Sequence, residues 1–159
     1  MSGLVAHLER QVQSAQRLLG MLLAQTDAIK RQDVESLLAR LGDVALEMRT
    51  RERLESERDG IIREAAHQLG ISTGEVDIES VLVFVPVGEA AQARRLSAEL
   101  RGLLTEIGHV HTRNRILIRQ ELAFVDHLMR VLSGTPEAGY SPTGWTRPPQ
   151  TVNVVDARV

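Results

Sequence analysis

Two Glu-x-x-His elements, Glu64-Ala-Ala-His67 and Glu106-Ile-Gly-His109, are the residues of this sequence best spaced for chemistry. Positions three apart share a helical face, so each element could offer a carboxylate and an imidazole to one metal ion. Two such pairs, completed by a Glu from each of two further helices, build the di-metal carboxylate centre of some four-helix bundles. The elements that must position them argue against that centre. In residues 88–132 the apolar seam passes through Ile107 and Val110, so Glu106 flanks it and His109 points away. The remaining carboxylates would have to come from helices whose seams are apolar throughout. We therefore expect no metal ligands and no cofactor.

Other chemistries lack their residues. His109 and His111 are two apart and splay to opposite sides of a helix. There is no Cys, which excludes disulfides, thiolate zinc sites and Cys nucleophiles. No serine sits in a G-x-S-x-G elbow, and no G-x-G-x-x-G is present. The single lysine, Lys30, has no phosphate-binding loop around it. Nothing here speaks for catalysis, and the chain is read as a non-enzyme.

A length of 159 residues suits one domain. Aromatics make up only 3%, so Leu, Ile and Val must build the core, and an all-β fold would want more aromatics and turns. The net charge of −2 gives no general footprint for nucleic acid or for an anionic membrane. Residues 1–10 lack the basic and apolar regions of a signal peptide. The longest apolar run, 81–87, is far short of a membrane span and holds Pro86. These features predict a cytoplasmic chain with no membrane insertion.

The periodicity is that of packed helices. Leu8, Val12, Ala15, Leu19, Leu22, Thr26 and Ile29 alternate steps of four and three. Arg31-Gln32-Asp33 interrupts the run, and Asp33 can cap a new helix. Whether the two helices are continuous or kinked there stays open. A second stripe follows in Val34, Leu37, Leu41, Val44 and Met48. Residues 47–59 carry nine charges, with Glu47–Arg51, Arg51–Glu55 and Arg53–Glu57 at i,i+4. They read as a solvated helix that outruns its partners. Ile61, Ile62, Ala65 and Leu69 resume the stripe, and Gly70 ends it. Residues 71–87 fit either a strand, through Val81, Val83, Val85 and Val87, or a helical turn. A strand would lack a partner, so a short helix near 77–83 capped by Asp77 is expected.

From about Gly88 the pattern is strongest. Leu96, Leu100, Leu103, Ile107, Val110, Asn114, Leu117, Glu121, Phe124, Leu128 and Val131 form one row. Ile118, Leu122, Val125, Met129 and Leu132 form a second beside it. A helix over 88–132 would be about 67 Å long at 1.5 Å per residue. A compact domain of this size has a radius of gyration of only about 15 Å. The expected fold is thus all-α: an elongated antiparallel bundle of about three long helices over 1–132, followed by a flexible Pro/Gly-containing tail over 133–159. Asn114 and Glu121 are polar in an apolar row. They either fix the register of the bundle or leave the seam open for a partner helix. The two apolar rows exceed what one neighbouring helix covers, which points to a partner's amphipathic helix.

The stretch Asn114-Arg115-x-Leu117-Ile118-x-x-x-Leu122-x-Phe124-Val125-x-x-Leu128-x-x-x-Leu132-Ser133-Gly134, with Tyr140-Ser-Pro-Thr-Gly144 after it, resembles the C-terminal signature of FlgN-type flagellar export chaperones. Leu22-Leu23-x-Gln25 with Ala28-Ile29, the break before Asp33-Val34-Glu35, and Leu54-Glu55-x-x-Arg58 are similar too. The likeness covers residues 5–145, and its specific part is the Asn-Arg element followed by a Tyr-x-x-x-Gly tail. The Val-rich 81–87 segment and the tail beyond Trp145 depart from it.

The resemblance implies a cytosolic chaperone without enzymatic activity. Such chaperones bind the C-terminal helical segments of hook-associated filament-junction proteins, keep them unpolymerised and deliver them to the flagellar type III export apparatus. It implies a partner-binding face of Leu117, Ile118, Leu122, Phe124, Val125 and Leu128, and on the open-seam alternative the polar positions Asn114 and Glu121 are counted with it. Tyr140 becomes the candidate docking residue for the export gate, and the expected partners include the export gate and ATPase components. A monomer or weak homodimer is expected. The alternative is a self-associating structural coiled-coil spacer or scaffold.

Overall fold

A computed structural model describes residues 3–133. They form α1 (Leu4–Lys30), α2 (Val34–Leu69), a single 3-10 turn (Thr73–Glu75), α3 (Ile78–Leu82) and α4 (Val87–Ser133). No strand occurs among the described residues, which makes the fold an all-α helical bundle with three long helices. The chain divides into two units, Met1–Glu121 and Leu122–Val159. Of the expected tail over 133–159, Ser133 is the last residue of α4, and the rest, with Tyr140 and Trp145, lies outside the described residues.

The first unit is built from local signals that mostly stand in the sequence. Asp33 caps α2, accepting from the Ser36 backbone N–H at 3.0 Å and the Ser36 hydroxyl at 2.7 Å. The break before it is a complete reversal. The Asp33 N–H bonds the Ala28 carbonyl and the Gln32 N–H bonds the Ile29 carbonyl, which satisfies the last carbonyls of α1. Gln32 holds this turn with φ of 56°, a left-handed conformation where glycine is usual. At the other end of α2 a glycine does take that position, Gly70 with φ of 69°. Asp77 caps α3 through Ser80, so residues 78–82 are helical and the alternating valines beside them form no strand.

Contacts fix the directions of the helices. His7 and Arg10 meet Glu57, while Ser14 and Arg17 meet Glu47, so α2 runs antiparallel to α1. Gln92 meets Glu9, Glu99 meets Gln16, Asn114 meets Thr26 and Glu121 meets Gln32. The first unit's part of α4 therefore runs parallel to α1 and antiparallel to α2. The connection through α3 closes the end where α2 finishes and α4 starts. There Val81, Leu82 and Val85 join Leu4, Leu8, Val12, Ala65, Ala93 and Leu96 in the larger apolar cluster. A smaller cluster of Leu18, Leu22 and Val110 lies farther along. The bidentate pair of Arg94 with Glu79 (2.7 and 2.8 Å) ties α3 to α4.

Two expectations are corrected here. Residues 47–59 do not outrun their partners: Glu47, Arg51 and Leu54 are buried against α1. The reason is a second row on α1, with His7, Gln11 and Ser14 at steps of four and three, all buried. That row supplies polar partners to Glu57, Glu55 and Glu47, so a charged helix can pack there. The second correction concerns the stripe at the start of α2. Leu37 and Val44 are half-buried, but Val34, Leu41 and Met48 are exposed. The inward row continues from Val44 to Glu47, Arg51 and Leu54, because Arg17 and Ser14 bind the Glu47 carboxylate.

Candidate partner-binding face

Within the first unit the inward row of α4 follows the expected heptad spacing. Ala93, Leu96, Val110 and Asn114 are buried, and Leu100, Leu103, Ile107, Leu117, Ile118 and Glu121 are half-buried. Asn114 is 1% exposed. Its Nδ2 donates to the Leu22 carbonyl at 2.9 Å and to Gln25 Oε1 at 3.2 Å. Its Oδ1 lies 2.6 Å from the Thr26 hydroxyl, which also lies 3.0 Å from the Leu22 carbonyl. A hydroxyl has one proton, and the shorter contact assigns it to Asn114. Both amide protons and one acceptor lone pair of Asn114 are therefore used inside the bundle. The expectation that Asn114 meets an outside partner is corrected: its polar group is spent on α1, the register-fixing alternative.

Glu121 closes the unit differently. It is half-buried and accepts from Gln32 Nε2 at 3.1 Å, an exposed contact that a partner can reach. Leu117 and Ile118 are half-buried as well, so each has one side on the bundle.

In the second unit the described residues are the last twelve of α4, and all are exposed. At about 100° per residue they sort cleanly. Leu122, Phe124, Val125, Leu128, Met129, Val131 and Leu132 occupy one half of the helix circumference, and Ala123, Asp126, His127, Arg130 and Ser133 the other. Asp126 and Arg130 pair on that polar side. Phe124 is 55% exposed and Leu122 64%. Three turns of helix thus present an apolar half of the kind that amphipathic helices use to bind one another. Its chemistry is burial, with no titratable group on the apolar half.

The metal candidates are not brought together. Glu64, His67, Glu106 and His109 are all exposed, and Glu64 accepts from Gln68 on its own helix. No group of three or more His, Asp or Glu side chains among the described residues is arranged to hold a metal ion. No described helix is long and apolar enough to cross a membrane.

A family model described as FlgN protein matches residues 1–148. No curated protein and no solved structure matches the chain.

Proposed function

We propose that this chain, which belongs to the FlgN family of flagellar export chaperones, binds the C-terminal helical segments of hook-associated filament-junction proteins, prevents their premature assembly and delivers them to the export apparatus in the cytoplasm. The observation that carries the reading is the exposed apolar half of α4 in the second unit. Leu122, Phe124, Val125 and Leu128 make the contact there, with Leu117, Ile118 and Glu121 preceding them in the chain. The role is one of binding, without catalysis. A client helix laid along this half buries anchors at i, i+3 or i+4, and i+7. Tyr140, beyond the described residues, is the proposed docking residue for the export gate.

Titration calorimetry of the purified chain with a C-terminal helical peptide of a hook-associated protein tests the reading. The expected result is saturable micromolar binding with a negative heat-capacity change, the mark of apolar burial. Absence of binding by every hook-associated C-terminal peptide would remove it.

A further inference from the structure

The start of α2 carries a second unpartnered seam. Val34, Leu38, Leu41, Ala45 and Met48 are all exposed and follow steps of four, three, four and three. This is the spacing of a helix packed in a coiled coil, and Glu52, the next position, ends it. Leu37 and Val44 face inward, so the bundle already uses the adjacent row. Leu38 stands 62% exposed and Leu41 47%.

The charges beside the seam say what covers it. Glu35 follows Val34, Gly42 follows Leu41 and Arg49 follows Met48, all on the same flank of the seam. Read in reverse, that flank is its own complement. Neither Glu35 nor Arg49 has an ion-pair partner among the described residues. We propose that this seam is a self-association surface on which a second copy of the chain docks its α2 in antiparallel orientation. In that register Leu38 meets Met48 of the second copy, and Leu41 meets Ala45 of the second copy, a large residue against a small one. Glu35 meets Arg49 of the second copy, and the two-fold axis makes each contact twice. At the centre the two Gly42 backbones come together, and no atom of the chain occupies the space a side chain would take there. A parallel pairing would instead turn this flank toward the opposite flank of the second copy, Leu37 and Val44, which the bundle already uses. The seam spans only two heptads, so the dimer is weak and forms at high micromolar concentration.

Sedimentation velocity of the full chain, from low micromolar to several hundred micromolar, reads the association. Monomer and dimer in concentration-dependent exchange are expected. Leu41→Glu and, independently, Leu38→Glu should weaken self-association by about tenfold or more while helicity is unchanged, since both side chains are exposed. Glu35→Arg and Arg49→Glu should each weaken it, and the double variant E35R/R49E should restore it. In this Cys-free chain, Gly42→Cys should cross-link to itself on oxidation. A chain that stays monomeric at the highest concentration overturns the proposal. So does association untouched by Leu38→Glu and Leu41→Glu, or a double charge swap that associates no better than its single components.

Discussion

Asn114 on α4 donates to the backbone carbonyl of Leu22 on α1 across 2.9 Å, between the apolar α4 seam positions Val110 and Leu117. The bond ties a side chain to a main-chain atom that already belongs to a helical ladder. It can form in one register only, because a shift by one heptad would bury the amide against apolar side chains without partners.

Asn114→Ala should therefore destabilise the bundle by about 1–3 kcal/mol, since Gln25 and Thr26 lose a buried partner along with it. Asn114→Leu separates the two roles. Thermal stability should then exceed that of Asn114→Ala, because apolar burial is regained although Gln25 and Thr26 still lose their partner, while pairing becomes less unique. Chemical denaturation measures the first effect, and the spread of amide NMR resonances measures the second. An Asn114→Ala variant as stable as the native chain would show that the amide is unimportant to register.

Glu47 gives the polar seam a pH dependence. Burial pushes its carboxyl up, but hydrogen bonds from Arg17 and Ser14, with the charges of Arg17 and Arg51, more than compensate and hold it below the ordinary glutamate value. A carboxyl depressed in the folded state contributes stability above its unfolded pKa, and that contribution is lost as pH falls through the folded value. Glu47→Gln should lower stability at neutral pH by about 1–3 kcal/mol and flatten the loss of stability on acidification through and below the ordinary glutamate range. Glu57, held low by His7 and Arg10 against the burial that raises it, adds to the same limb in the native chain. Urea midpoints across that range check the slope. An unchanged acid limb in Glu47→Gln would place the pH dependence elsewhere.

The legible part of this fold was the part in which one residue type has one meaning. Asp33, Gly70 and Asp77 each end or start a helix where the structure puts the boundary, because capping needs only a carboxylate or a left-handed glycine. The α4 seam was legible from Leu96 to Glu121 because apolar periodicity and burial coincide there. Polar burial was not legible. His7, Gln11 and Ser14 repeat at heptad spacing, but a polar row reads as surface unless its partners are known, and those partners lie more than thirty positions away. Gln32 hid the turn after α1 for a similar reason, since that conformation is ordinarily announced by glycine. Of the candidate face, the apolar positions stood in the sequence. That Asn114 turns its amide to α1 did not, since the same residue serves an open or a closed seam.

Each long helix also has an alanine with no exposed surface: Ala15, Ala65 and Ala93. Such positions set how closely the helices approach. Ala15→Leu, Ala65→Leu or Ala93→Leu should lower stability by about 1–3 kcal/mol through overpacking. Ala98→Leu, at an exposed position of α4, should change it by no more than about 0.5 kcal/mol. Thermal melts of the four variants settle the comparison, and equal melting temperatures would mean that the helices part to admit the larger side chain.

The face on α4 predicts a split between binding and stability. Leu122, Phe124, Val125 and Leu128 are exposed, whereas Leu117 and Ile118 are half-buried in the first unit. Burying a Leu-sized side chain contributes about 1.5–3 kcal/mol, so three or four such anchors suffice for micromolar affinity after the losses of association. Replacing Leu122, Phe124, Val125 or Leu128 by Glu should weaken a client peptide by about tenfold or more and leave the melting temperature near native. Leu117→Glu and Ile118→Glu should lower the melting temperature as well, because each also faces the bundle. Calorimetry of each variant, with and without peptide, separates the two losses. If the four exposed positions accept Glu with no change in affinity, while a bundle-destabilising substitution abolishes binding, the client sits on the first unit and the assignment of this face is wrong.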